Sequence, residues 1–159
     1  PSDEDQNAKK TLRMISNPKD RFLTPIFPGI DFTHAALSDR QVTQDTYRLL
    51  RQETYNYKDC YVVESIPRDE RYPYSKRITW IWKDRWLPIK MDHYDRKDKL
   101  IRTLFHHYWV EVQGVWFPRQ SLMKDPRRKH ETLLFVNAVK FNVGLTSATF
   151  LPATLEYTR

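Results

Sequence analysis

From Arg77 to Trp82 the chain alternates, with Ile78, Trp80 and Trp82 on one side and Arg77 and Thr79 on the other, the period-two signature of a strand. Lys83-Asp84-Arg85 is a polar reversal. The next run sets Leu87, Ile89, Met91 and His93 against Lys90, Asp92 and Tyr94, completing a hairpin. Upstream, Cys60 to Ile66 is rich in β-branched and aromatic residues, and Pro67 closes it because proline cannot donate to a sheet ladder. These three runs set the fold.

The same pattern extends outward in both directions. Thr46 to Glu53 reads as a strand that Asn56-Tyr57-Lys58-Asp59 turns back. Leu100 to Val112 places Ile101, Phe105 and Trp109 on one face, and Gln113-Gly114 makes the tightest turn of the chain. Val115 to Lys124 returns, Asp125-Pro126 turns again, and Glu131 to Val143 is predicted as the last strand, with Leu133, Phe135, Val139 and Phe141 along one side. Helix is scarce. Asp31 to Leu37 is predicted as a short helix with Asp31 or Thr33 as its cap. Ala8 to Ile15 reads equally as one helical turn or a short edge strand, and Ser147 to Phe150 as a helical turn. Phe22 to Ile30 carries too many breakers for either element and is predicted to lie as an apolar loop over something else.

About seven strands on short turns form an antiparallel meander, which must twist and curl. Several strands are apolar on both faces, as with Trp80 against Ile81 and Phe135 against Leu134. A sheet wetted on one side would be polar there, so the second face is covered or filled.

Composition narrows the class. With 159 residues, 40% hydrophobic and 14% aromatic, the chain suits one domain with a real core, spanning 1–159. No run approaches the roughly 18 apolar residues of a transmembrane helix. The single cysteine, Cys60, excludes an internal disulfide and falls mid-strand, where a small buried residue is wanted. A formal charge of +7 favours acidic partners. Arg119, Lys124, Arg127, Arg128 and Lys129 crowd one strand end and its loop, opposed locally by Asp125 alone, and are the candidate partner-docking cluster.

At this point a set of segments resembles a known family. Asp31-Phe32-Thr33, the run Cys60 to Asp69, the run Tyr72 to Thr103, Gly114 to Pro118 and Val136 to Phe150 are together similar to the bacterial outer-membrane lipoprotein-sorting proteins. These are the relatives of the periplasmic carrier LolA and the receptor LolB. The signal lies in an ordered set: Tyr74-Ser75-Lys76, Trp80-Ile81, Leu87-Pro88, Tyr94-Asp95, Gly114-x-Trp116 and Asn142 to Leu145. The resemblance implies a mainly β fold, a strongly curved antiparallel sheet forming an open half-barrel, with short helices or loops over the concave face and an apolar cavity between. It also implies a periplasmic address, acyl-chain or other lipid cargo, and an acidic membrane-associated donor or acceptor protein or a lipid-exporting transporter as partner. The family's N-terminal helix and first strands precede the segment matching Leu12, so the chain is expected to lack them.

Candidate cavity walls are the large apolar residues of the strands, Trp80, Trp82, Ile89, Met91, Ile101, Phe105, Trp109, Leu133 and Phe135, with Phe22, Ile26 and Phe27 of the loop as a lid. A plain packed core uses the same residues. Trp116 and Phe117, beside a hairpin turn, suit an exposed docking tip or packing beneath it. Among His34, His93, His106, His107 and His130, no third ligand of suitable spacing completes a metal set, and no cofactor is expected. No GxSxG, HExxH, P-loop or GxGxxG occurs, so a binding protein and not an enzyme is expected. Nucleic-acid binding is set aside, because the basic residues do not interleave with the aromatics on one face.

Overall fold

A computed structural model describes residues 25–26, 28–37 and 40–146. Seven strands form one open antiparallel sheet in sequential order, the meander that the turns foretell. They are β1 (Asp45–Tyr55), β2 (Lys58–Pro67), β3 (Lys76–Trp82), β4 (Leu87–Tyr94), β5 (Leu100–Val112), β6 (Val115–Asp125) and β7 (His130–Phe135). Among the described residues a helical turn, α1 (His34–Leu37), and a 3-10 turn (Val42–Gln44) precede the sheet, and Thr33 caps α1: its Oγ1 accepts from the Ala36 N–H at 3.3 Å.

The two tightest hairpins use left-handed backbone. Asn56 and Tyr57 have φ of 49° and 60°, and Gln113 and Gly114 have 52° and 78°, the geometry that lets a two-residue loop follow the strand twist. The expected helical turns at 8–15 and 147–150 lie outside the described residues.

Three bulges set the pleat phase. Register shifts leave Leu50, Ile89 and Ile101 as extra residues in β1, β4 and β5. Each packs into a hydrophobic cluster, Leu50 and Ile89 with Trp80, and Ile101 with Tyr74. The consequence overturns simple alternation. Leu87 and Ile89 share a face with Trp80 and Trp82, but Met91 and His93 pass to the opposite face, because one inserted residue reverses every side chain beyond it. Ile101 is separated from Phe105 for the same reason.

The last strand is shorter than its pattern. The ladder ends at Phe135, and only Val136 N–H to Arg119 O (2.9 Å) continues it. Residues 136–146 run irregularly alongside β6, with Phe141 meeting Phe117 edge-on at 6.1 Å. Apolar periodicity persists there because the segment still packs, not because it pairs.

Candidate functional site

Cross-strand register defines two faces. One, here the tryptophan face, carries Val62, Trp80, Lys90, Phe105, Leu122 and Leu133 along a single row. The other, the helix face, carries Val63, Thr79, Met91, Leu104, Met123 and Thr132, and Phe32 of the chain before α1 packs against Leu104 and Met123.

On the tryptophan face Cys60, Val62, Trp80 and Ile89 form a sealed cluster, with Leu50, Tyr55, Ile78 and Trp82 against it. Burial pushes the Cys60 thiol up, so it is an inert core thiol. Beside this cluster, at the end of the sheet where the β1–β2 and β3–β4 hairpins turn, opens a hollow of about 520 Å³. Tyr55, Trp82, Ile89, Trp109 and Trp116 supply apolar wall, and Asn56, Lys58, Arg85, His106, His107 and Tyr108 complete the lining. Side chains from six strands or their turns meet in this one space.

The electrostatics of the hollow are one-sided. Lys58 Nζ stands 5.0 Å from the Trp82 ring, and Arg85 Cζ lies 5.3 Å from Trp82 and 4.3 Å from Trp116. The buried Trp109 Nε1 has no acceptor among the described residues. His106 is neutral: burial, then the neighbouring His107, lowers it to about 4, and its Nδ1 is 2.9 Å from Ser121 Oγ. Farther in, Glu53 accepts from Trp80 Nε1 and Arg51, whose hydrogen bonds hold its carboxyl below the usual range, Arg51's being the larger effect.

Of the wall residues expected from sequence, Trp82, Ile89 and Trp109 line the hollow. Trp80 lies in the sealed cluster, and Phe105, Leu133 and Phe135 continue the same face toward the β7 edge. Met91, Ile101 and Ile26 pack on the helix face instead. Phe22 and Phe27 lie outside the described residues. Tyr55, Lys58, Arg85 and His107 were not anticipated; the signal was available in cations and rings flanking the hairpin turns. Trp116 packs against Arg85 at the hollow.

The helix face is closed by polar links. Asp45 is fully enclosed and accepts from Arg40 Nε (3.0 Å) and Nη2 (2.5 Å) and from Arg77 Nη2 (2.5 Å). Arg102 Nη1 donates to Tyr74 OH at 3.2 Å, and Tyr74 OH lies 3.3 Å from Thr33 Oγ1. His93, packed on Tyr74 and flanked by these arginines, is lowered to about 3, chiefly by burial and then by the charges of Arg77 and Arg102.

The basic loop is largely neutralised within the fold. Buried Asp31 takes hydrogen bonds from Arg128, from Thr132 Oγ1 (3.0 Å) and pairs with His130 Nδ1 (2.6 Å), joining residues about a hundred positions apart. Burial opposes ionisation of Asp125, but the Arg128 backbone and side chain and the nearby Arg127 outweigh it and hold its carboxyl low. Lys124 pairs with Glu131 at 3.2 Å, and Arg119 donates to the Asn137 carbonyl at 2.7 Å. Asp125 is therefore not the sole local acid. Among the described residues no cluster of three His, Cys, Asp or Glu could hold a metal, and no helix is long and apolar enough to cross a membrane.

Comparison with known proteins gives the wider setting. A family model described as an uncharacterized protein matches residues 6–157. An uncharacterized Pseudomonas aeruginosa protein is 28% identical over 102 residues, which is 60% of this chain and 22% of that one. Among solved structures, a Vibrio parahaemolyticus domain named for outer membrane lipoprotein sorting aligns at TM-score 0.78 and 27% identity, over 87% of this chain and 59% of its own. A DUF1329 family protein from Desulfovibrio piger aligns at 0.78 and 28%, over 89% and 58%. A LolA superfamily protein from Nitrosomonas europaea, 18% identical with a TM-score of 0.58 over 77% and 56%, shares the fold. The chain thus spans about a fifth of the curated relative and under three fifths of the solved ones.

Proposed function

Because the chain belongs to the family whose model, described as an uncharacterized protein, matches residues 6–157, and is similar to a domain named for outer membrane lipoprotein sorting, we propose that it is a carrier that holds an acyl chain of a lipoprotein or another lipid for transfer towards the outer membrane. The observation that supports this most directly is the aromatic hollow on the tryptophan face. Its volume of about 520 Å³ falls within the roughly 300–1,000 Å³ of small-molecule sites. Each methylene that leaves water contributes about 0.8 kcal/mol, so apolar walls and an open mouth suffice to bind a chain without a specific polar fit.

In this reading the protein works in the periplasm, and the reaction it serves is transfer, with no bond made or broken. Cargo is seated on Trp82, Ile89 and Trp109. The strip of Phe105, Leu133 and Phe135 extends the apolar track to the β7 edge. The basic loop supplies the contact with an acidic donor or acceptor protein, through the exposed Lys129 and the half-exposed Arg127.

The test is displacement of an uncharged fluorescent long-chain lipid from the purified protein at low and high salt, alongside native mass spectrometry for a co-purified lipid. Binding that changes less than about twofold between 50 and 500 mM salt is expected, since hydrophobic transfer releases no counterions. A single-stranded nucleic-acid reader would instead bind an oligonucleotide and lose it steeply with salt. Failure to bind any acyl chain, with none co-purified, removes the carrier reading.

A further inference from the structure

The lining of the hollow specifies more than an oily tail. Its eleven residues include two permanent cations, Lys58 and Arg85, and no aspartate or glutamate. Elsewhere the guanidinium and ammonium groups are mostly matched to carboxylates, as in Arg40 and Arg77 with Asp45, Arg48 with Glu64, and Lys90 with Asp92. Lys58 and Arg85 differ. Among the described residues neither makes a side-chain hydrogen bond or ion pair, and both rest on aromatic faces, Trp82 for Lys58 and Trp82 with Trp116 for Arg85. A ring face attracts a cation but accepts no directed hydrogen bond, so every N–H of these two groups remains available. Trp109 also lines the hollow, and its buried Nε1 has no acceptor among the described residues. A buried indole N–H ordinarily finds a partner.

We propose that the hollow recognises an amphiphile by an anionic head, a carboxylate or a phosphate held between Lys58 and Arg85, with its tail on Tyr55, Trp82 and Ile89. The inference rests on the carrier reading and names its cargo class. Charge-assisted hydrogen bonds to an oxyanion are stronger than contacts with ring faces, so the two cations turn from the rings toward the head when it arrives. Seating the anion against apolar walls strengthens that attraction further, because water is excluded around it.

The experiment compares four amphiphiles of one tail length by displacement of the same fluorescent reporter: laurate, dodecyl phosphate, dodecanol and dodecyltrimethylammonium, with inorganic phosphate as a competitor. The expected order places laurate or dodecyl phosphate about tenfold or more ahead of dodecanol, the gain of a charge-assisted hydrogen bond, and the ammonium last. Whichever anion leads distinguishes a fatty-acid carboxylate from a lipid phosphate. Competition by inorganic phosphate supports the headgroup site as such. In the double variant Lys58→Gln with Arg85→Gln the preference for anions falls to within about twofold, and Lys58→Arg with Arg85→Lys restores it. Far-ultraviolet circular dichroism checks that both variants fold. Equal binding of laurate, dodecyl phosphate and dodecanol overturns the headgroup inference and leaves the carrier reading standing. Binding of none of the four sinks both, and anion preference that survives the double glutamine variant places the head elsewhere.

Discussion

The two faces of this sheet use the same residue types to opposite ends. On the helix face, arginine serves the fold: Asp31, Asp45 and Asp125 are all enclosed, and each holds at least one guanidinium. On the tryptophan face, at the hairpin end, Lys58 and Arg85 rest on rings and bind no carboxylate among the described residues. The apolar residues divide in the same way. Phe32, Leu104 and Met123 are buried together, while Leu133 and Phe135, one face over, remain 54% and 57% exposed. A cation whose acid is already in place has a structural role, and one that lacks an acid beside an open hollow is available for a ligand.

The largest effect that separates the faces is expected from Asp45→Ala. Its carboxylate neutralises two guanidinium groups whose side chains are only 10% and 12% exposed. Removing one partner of a buried pair leaves an uncompensated charge, which costs about 3–5 kcal/mol. Urea denaturation measures it. A loss below about 1 kcal/mol would show that the helix face is not held by its ion pairs.

Next in size is Arg128→Glu, which sets a carboxylate against Asp31 and Asp125. A stability loss of about 1.5–3 kcal/mol is expected, the range for losing hydrogen bonds to a charged group, with repulsion added. Arg127→Glu, whose guanidinium is 3.7 Å from Asp125 and half exposed, should cost less than about 1 kcal/mol. Arg127 is therefore the clean probe of docking. Weakened transfer to an acceptor in R127E, with lipid binding retained, would support the loop's role as a docking surface; loss of lipid binding there would argue against separate surfaces.

These contrasts also mark where reading the sequence succeeds. Strand order, the Gln113-Gly114 and Asn56-Tyr57 turns and a cap at Asp31 or Thr33 depend on neighbours a few positions apart and are legible in the sequence. The bulges were not. Leu50, Ile89 and Ile101 look like ordinary members of an alternating run, and only the register of the paired strand reveals the inserted residue. Simple alternation therefore groups Met91 and Ile101 with Trp80, although they point the other way. The partnership of Asp31 with Arg128 crosses 97 positions and leaves no local trace. The hollow was half legible: Trp82, Ile89 and Trp109 announce themselves as large apolar strand residues, but Lys58 and Arg85 look like any solvated turn charge.

A pH titration of stability sharpens the comparison, because one depressed histidine belongs to the helix face and the other lines the hollow. His93 and His106 stay neutral in the fold down to about 3 and about 4, while an unfolded histidine titrates near 6.5. Between those limits the unfolded chain binds the extra proton, so stability rises with pH. It is fully present above about pH 6.5 and is lost as the pH falls towards each folded value, by up to about 1.4 kcal/mol per unit for each histidine. His106→Asn should roughly halve the slope between about pH 6.5 and 4, where both histidines contribute, and leave the His93 slope intact down to about pH 3. An unchanged slope would mean that His106 is hydrated at the hollow and not buried beside it.

The smallest effect is expected from Leu133→Ser on the tryptophan face. Leu133 pairs with Leu122 in the same ladder in which Met123, on the opposite face, is wholly buried. More than half of the Leu133 side chain already meets water, so serine forfeits little transfer energy, and the change in stability should stay within about 0.5 kcal/mol. Serine also keeps the backbone ladder to β6 intact, and its lower strand propensity matters little in a short edge strand. Binding is where the substitution should register, as a modest weakening for long acyl chains and none for short ones, because only a long tail reaches from the hollow to the β7 edge. Equal weakening for both lengths would place Leu133 at the site itself, and a stability loss above about 2 kcal/mol would mean that this strip is core and that the face is closed.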